Sequence, residues 1–287
     1  MIKKFGSLKE NYNLKDYNTY KIDSICKYFI VVNDVEKLRK LIKYLKDNKI
    51  KYFVIGNGSN VILPPYYAGI VIKLDFKKVI YHETIVEVES SYMLNKLAYE
   101  TALIGLKGLE WASGIPGTIG GSTINNAGCY GSEIFDNIIK VDILSDSQFI
   151  TLNKKDINYS YRYTSLKDNN IIIIKVYFEL EKNNKEELLS LIKERNEKRI
   201  NTQPLKYPSA GSVFQNPTGD YAGRLIEEAG LKGKIIGGAK ISDKHANFII
   251  NYNKASSEDI IKLINLIKDT IYKKYNIKLI LEQEIVL

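Results

Sequence analysis

Only two cysteines, Cys26 and Cys129, occur in 287 residues. That scarcity excludes a disulfide scaffold and a cysteine-built zinc site, and it suits a reducing, cytoplasmic setting. Histidine is as scarce: His82 and His245 are the only two, so a Ser-His-Asp hydrolase has almost nothing to be built from. No stretch approaches the ~18 apolar residues of a membrane span. The first ten residues, Met1 to Glu10, carry charges where a signal peptide needs an apolar core. Blocks of five or six like charges are also missing, so the +9 excess of basic residues reads as a dispersed, solvated surface that favours anionic partners. A nucleic-acid-binding surface would need clustered cations interleaved with aromatics, whereas the 21 tyrosines are scattered. Repeats and low-complexity linkers are absent.

What is present is a chain long enough for two or three domains at about 100 to 200 residues each. Phe29 to Val32 predicts a strand. Asn33 with Glu36 forms a capping-box pattern opening a helix with Val35, Leu38, Leu41, Ile42 and Leu45 on one face. Lys51 to Ile55 is the next strand, followed by Gly69 to Leu74 and Ile85 to Glu89, and a helix is expected over Met93 to Gly105. From Trp111 to Gly131 the sequence has neither helical nor strand period; so long an irregular segment in a compact domain points to function. Strands resume at Ile138 to Leu144 and Ile171 to Leu180, before a helix from about Lys185 to Ile200. The remainder predicts a smaller α+β unit: a helix over Asp220 to Ala229 closed by Gly230, a strand at Asn247 to Asn251, a helix capped by Ser256 and Asp259 with Ile260, Ile264, Ile267 and Ile271 inward, and a terminal strand over Ile277 to Leu287. The expected divisions are 1–75, 76–198 and 199–287.

Four segments could carry chemistry. Gly56-Asn57-Gly58-Ser59-Asn60 follows a strand, where glycines let backbone N–H groups approach a diphosphate; a glycine pair there also makes an ordinary turn. It is not the dinucleotide fingerprint, because a third glycine is missing and Pro64-Pro65 blocks the long helix which that motif requires. Gly114-Ile115-Pro116-Gly117-Thr118-Ile119-Gly120-Gly121, with Asn125-Asn126-Ala127-Gly128 after it, offers a second backbone grip, or else a tight chain crossing. Tyr161-Arg162-Tyr163 puts a permanently charged fork between aromatics, suited to a carboxylate or simply to stacking. Pro208 to Pro217 contains Ser212 in a turn entering a strand.

Taken in order, these segments resemble the UDP-N-acetylenolpyruvoylglucosamine reductase (MurB) family. The resemblance spans nearly the whole chain, from Tyr17-Asn18-Thr19-Tyr20 through the loops above to Gly237-Gly238-Ala239-Lys240-Ile241-Ser242-Asp243-Lys244-His245-Ala246-Asn247-Phe248 and Leu281-Glu282-Gln283-Glu284-Ile285. It implies an α+β fold with a two-part FAD-binding unit of the PCMH/vanillyl-alcohol-oxidase-like type and a smaller C-terminal α+β substrate domain. It also implies FAD, lined by Gly56, Asn57, Gly58, Ser59, Asn60, Gly114, Ile115, Pro116, Gly117, Thr118, Gly120, Gly121, Asn126 and Gly128, with NADPH as reductant of the flavin. Arg162 and Glu284 match the residues that stabilise the reaction intermediate, and Ser212 its proton donor. Tyr161, Arg199, Gln203, Asn216 and His245 lie in segments similar to the pocket for the UDP-sugar substrate. Another FAD oxidoreductase of the same superfamily is the alternative. A cytoplasmic monomer bound to neither nucleic acid nor membrane is expected. In one departure, the family often has arginine where this chain has Val286, and the chain stops at Leu287. The Ser-Ala-Gly-Ser form resembles the shorter class, which lacks an insertion over the substrate cleft.

Overall fold

A computed structural model of the chain describes residues 2–167 and 171–287. Contacts divide it into two units: Met1–Glu10, Tyr28–Asn57 and Gly69–Lys198 form the first; Asn11–Lys27, Gly58–Ala68 and Arg199–Leu287 the second. The chain passes between them within β1 (Ser7–Asn13), β2 (Ile25–Val32) and β5 (Tyr66–Leu74), after β3 (Tyr52–Ile55), and within the helix Lys185–Thr202. The sheet order is β1-β2-β5-β3, with β3 and β5 parallel.

In the first unit, α1 (Val35–Asp47) buries Leu38, Leu41, Ile42 and Leu45 against Ile30, Val32, Ile70 and Ile72. Each such side chain contributes about 1.5–3 kcal/mol through removal from water. An antiparallel five-stranded sheet is built from β6 (Val79–His82), β7 (Ile85–Glu89), β8 (Ile138–Ser145), β9 (Gln148–Asn153) and β10 (Ile172–Glu179), in the order β9-β8-β10-β7-β6. The two-residue period of β7 and β10 sends Val86, Val88, Val176 and Phe178 into one core with Leu97 and Ala98 of α2 (Leu94–Leu103) and Ile119 of α3 (Ile119–Ile124). The alternate positions carry polar partners: Lys175 pairs with Glu87 at 2.5 Å and Tyr177 donates to Asp142 at 2.9 Å. α4 (Lys185–Thr202) follows.

The second unit has α5 (Ala222–Glu228), the antiparallel sheet β11 (Ile235–Ile236), β12 (Ala239–Ile241) and β13 (Ile249–Asn251), and α6 (Ser257–Tyr275). Ile260, Ile264, Ile267 and Ile271 face this core. Ser256 and Asp259 complete the expected capping box, and Asn276 ends α6 in the left-handed region at φ 55°. A short parallel pair joins β4 (Val61–Ile62) to β14 (Glu284–Ile285).

Several boundaries differ from expectation. The cap of α1 is Asp34, whose carboxylate accepts from the Lys37 N–H at 2.7 Å, and not Asn33. Either residue type can cap, and the backbone becomes helical one residue later than the pattern suggested. Within 111–131, expected to be irregular, lie α3 and the end of a 3-10 turn, Glu110–Ala112. α3 is helical despite its glycines because Thr118 caps it and Ile119 is buried. The terminal strand is only Glu284–Ile285, since residues 277–283 meet their neighbours through isolated bonds and not a ladder.

Candidate active site

In the first unit the two glycine-rich segments come together. The Asn57 side-chain amide donates to the Pro116 carbonyl at 2.7 Å. A Cβ on Gly56 would stand 2.8 Å from Thr118 Oγ1, closer than atoms pack, so the approach requires glycine there. Thr118 caps α3 by accepting from the Gly121 N–H. Gly117 accepts from the Leu94 N–H and Ile119 donates to the Tyr92 carbonyl, which pins this loop to the start of α2. Gly120 donates to the Ser90 carbonyl at 2.8 Å. Gly114 and Ile115 run into this loop from the 3-10 turn, Ile115 donating to Ala112.

Asn126 is fully buried at φ 43° and donates to the Ser160 carbonyl at 2.8 Å, while its Oδ1 has no partner. The buried Ser90 hydroxyl, beside Gly120, is also unpartnered. A buried polar atom left without a hydrogen bond costs about 1–3 kcal/mol, so a bound polar group that satisfied these atoms would be favoured. Diphosphate, ribityl and ring polar groups of FAD suit that need, and the residues present therefore fit the cofactor.

Arg162 occupies the two-residue turn of a hairpin in which Ser160 pairs with Tyr163. Its φ is 60°, a conformation that costs a non-glycine residue free energy and is kept where surrounding bonds hold it. Here Nη2 donates to the Gly128 carbonyl at 2.6 Å, Nη1 to the Asn126 carbonyl at 3.4 Å, and the guanidinium stacks on the exposed Tyr161 ring at 4.8 Å. The structure thus joins Arg162 to Asn126 and Gly128, which lie in a different segment of the sequence.

In the second unit, Gly58 sits at φ 65° with Tyr17 so close that a Cβ would fall 2.0 Å from its carbonyl oxygen. The Thr19 N–H and hydroxyl both donate to the Gly58 carbonyl, at 3.0 and 3.2 Å. Asn18 is buried and closes its own turn through the Leu14 and Ile22 carbonyls and the Ile22 N–H. Ser59 is half-buried between Gly58 and Asn60. Asn60 Nδ2 donates to the Glu282 carbonyl at 3.1 Å, and the Asn60 carbonyl accepts from the Glu284 N–H at 2.9 Å.

Ser212 and Glu284, remote in sequence, are brought onto one framework. The Gln283 amide donates to the Ala210 and Gly211 carbonyls at 3.1 and 3.2 Å, just before Ser212. Its Oε1 accepts from the Tyr20 hydroxyl. Glu282 donates to the Val213 carbonyl, and Gln215 to the Ile280 carbonyl. From the other side, Asn247 bonds both backbone groups of Phe214 and accepts from the Val213 N–H. Ser212 is half-buried and Glu284 exposed. His245 forms no hydrogen bond to Ser212 among the described residues; its Nδ1 accepts from the Asn247 N–H at 3.3 Å, and burial pulls its pKa down.

The other expected pocket residues have distinct settings. Gln203 Oε1 is a buried atom without a partner, and the Gln203 N–H donates to the Arg199 carbonyl. Asn216 accepts from the Ala222 N–H and so starts α5. Val286 is buried and donates its N–H to the Ile62 carbonyl, so this position serves packing. Sequence reasoning did not show that Tyr20 and Gln283 hold the Ser212 loop, nor that Ser90 meets the Gly120 loop. Their signals are long-range hydrogen bonds, which no local pattern displays. Among the described residues no His, Cys, Asp and Glu cluster could hold a metal, and no helix is long and apolar enough to cross a membrane.

Comparison with known proteins agrees with this layout. Residues 26–148 match a family described as FAD binding domain, and residues 203–286 match UDP-N-acetylenolpyruvoylglucosamine reductase, C-terminal domain. The UDP-N-acetylenolpyruvoylglucosamine reductase of Caldanaerobacter subterraneus is 40% identical over 99% of this chain and 95% of its own. That of Prochlorococcus marinus is 40% identical over 94% of each. The crystal structure of the MurB enzyme from Thermus caldophilus covers 98% of this chain and 99% of its own at 32% identity, with a TM-score of 0.83. An FAD-binding domain followed by this C-terminal domain, on an α+β fold shared along the chain's length, places the protein in the UDP-N-acetylenolpyruvoylglucosamine reductase family.

Proposed function

We propose that the chain reduces the enolpyruvyl group of UDP-N-acetylglucosamine enolpyruvate to give UDP-N-acetylmuramate, a peptidoglycan precursor, as a cytoplasmic monomer. FAD, when bound, supplies hydride chemistry, with NADPH as the electron source. The observation that carries this reading is the framework that holds Ser212 and Glu284 together through Gln283 and the 213–215 to 280–282 bonds.

The divisions 1–75, 76–198 and 199–287 are kept as two FAD-binding parts and a substrate part. Gly56 to Asn60 and Gly114 to Gly121, with Asn126 and Gly128, hold the cofactor. Tyr161, Arg199, Gln203, Asn216 and His245 contribute to the substrate pocket, Gln203 through its unpartnered oxygen.

Hydride arriving at the methylene carbon leaves negative charge on the adjoining carbon and its carboxylate. Arg162, its guanidinium fixed in place by two carbonyls and a ring, offers charge-assisted donors to that charge. Ser212 delivers the proton to the adjoining carbon. An ordinary hydroxyl is a weak acid, so it serves only because the carbon is strongly basic at that moment. Glu284 acts beside it as the second residue that steadies the intermediate. Half-reaction spectroscopy tests the reading: NADPH should bleach the bound flavin, and added enolpyruvyl substrate should restore its absorbance. A purified protein whose reduced flavin stays reduced when the substrate is added would rule the reaction out.

A further inference from the structure

Lys73 lies in β5 opposite Ile55 of β3, and its ammonium donates to the Gly56 carbonyl oxygen. Ile72 and Leu74 on either side face the apolar cluster with α1, so Lys73 projects from the opposite face of the strand. It is half-buried, yet it has no ion-pair partner among the described residues. The nearby carboxylate, Asp75, is taken by Lys77 at 2.5 Å. β2 and β3 carry no carboxylate at all. Burial, with Lys77 adding to it and Asp75 opposing it, pulls the Lys73 pKa down to about 8. A half-buried cation without a counter-ion is costly unless something anionic completes it.

The bond also has a directional consequence. The peptides of the described residues are all trans, and a trans peptide points its C=O and the following N–H to opposite sides. An ammonium holding the Gly56 oxygen on one side therefore turns the Asn57 N–H to the other. The Asn57 side chain, tied to Pro116, fixes the same residue a second time.

We propose that Lys73 is a positioning residue of the cofactor cradle: its ammonium orients the Gly56–Asn57 peptide so that the Asn57 N–H meets a phosphate oxygen of FAD, and its charge attracts the diphosphate through that peptide without touching it. The proposal rests on the reading that the two glycine-rich loops hold the FAD diphosphate.

Flavin-fluorescence titration of the apoprotein with FAD from pH 6.5 to 9, on wild type and Lys73→Met, tests it, with the apoprotein melting temperature measured alongside. Because the charged form favours the anion, affinity must fall as pH rises through the pKa of free Lys73. One proton linked to binding with a free pKa near 8 weakens it by about tenfold between pH 7 and 9. Lys73→Met should bind FAD about tenfold or more weakly at pH 7 and lose that slope, because the charge-assisted bond that orients the Gly56–Asn57 peptide is gone together with the positive charge behind it. Its apoprotein should melt no lower than wild type, since an uncompensated buried charge has been removed. Wild-type affinity or a wild-type pH slope in Lys73→Met overturns the proposal, and so does a large drop in apoprotein melting temperature, which would mark Lys73 as a fold residue. A wild type that binds no FAD would instead remove the cradle reading, and Lys73 with it.

Discussion

Tyr20 donates its hydroxyl hydrogen to Gln283 Oε1 at 2.9 Å, with the ring fully buried and the two residues 263 positions apart in the chain. Burial pushes the Tyr20 pKa up, so the hydroxyl stays neutral and donating across the working pH range. Gln283 in turn spends its two N–H hydrogens on the carbonyls before Ser212. The Tyr17-to-Tyr20 segment thereby ties the Gly58 loop to the serine loop within one unit.

Tyr20→Phe keeps the ring and deletes the donor, leaving Gln283 Oε1 buried and unsatisfied. The expected cost is about 1–3 kcal/mol of unfolding free energy, read from urea denaturation. Gln283→Leu should cost more, because it also leaves the Ala210 and Gly211 carbonyls without their donor, and the double variant should cost less than the sum, because the two residues share one bond. Additive losses would show that the residues act independently.

Gly58 and Gly56 should respond differently to alanine. Gly58→Ala combines φ 65° with a Cβ 2.0 Å from a backbone oxygen, so the chain around Tyr17 must move. A loss of more than about 2 kcal/mol is expected from strain and displaced packing. Gly56→Ala meets only the Thr118 hydroxyl at 2.8 Å, a side-chain atom and not backbone, so the strain falls on the cap of α3 and its loop. Its melting temperature should change less and its FAD affinity more, as read by calorimetry and flavin titration.

These contacts mark the limit of what the sequence makes legible. The period of α1 and α6 is written locally, because one face of each must be apolar, and both helices occur where expected. The glycine-rich segments were legible as candidates for the same reason, since Gly56 and Gly58 interrupt a strand pattern. Their close approach through Asn57 and Pro116 was not, because a hydrogen bond across 59 residues leaves no periodic trace. Lys73 looked like an ordinary strand residue. In sequence Gln283 is only the neighbour of Glu284, although its side chain holds the serine loop. Secondary structure follows local spacing, whereas site geometry depends on which distant carbonyls remain to be satisfied.

His245 predicts a pH effect with a definite sign. Its folded pKa lies below the unfolded value, through burial first. Its stabilising contribution is therefore present above the unfolded value of about 6.5 and is lost as pH falls through the folded pKa. Urea denaturation of wild type against His245→Gln at pH 7.5 and 5 should show a smaller pH dependence in the variant. Equal dependence in both would contradict the assignment.

Arg162→Lys preserves charge but cannot reproduce two donors directed at Gly128 and Asn126 with a stacked plane. Flavin reduction by NADPH should proceed normally, while reoxidation by the enolpyruvyl substrate slows about 100-fold, the scale of losing one preorganised donor to developing charge. Stopped-flow absorbance separates the two steps.

The most direct test is the Ser212→Ala variant followed through both half-reactions by stopped-flow flavin absorbance. FAD binding and NADPH-driven bleaching should match wild type, because Ser212 belongs to the framework of Gln283 and Asn247 and not to the residues assigned to the cofactor. Recovery of absorbance on adding the enolpyruvyl substrate should slow by about 100-fold or more, as expected when a general acid is removed. Recovery at the wild-type rate would contradict the assignment of Ser212 as the proton donor.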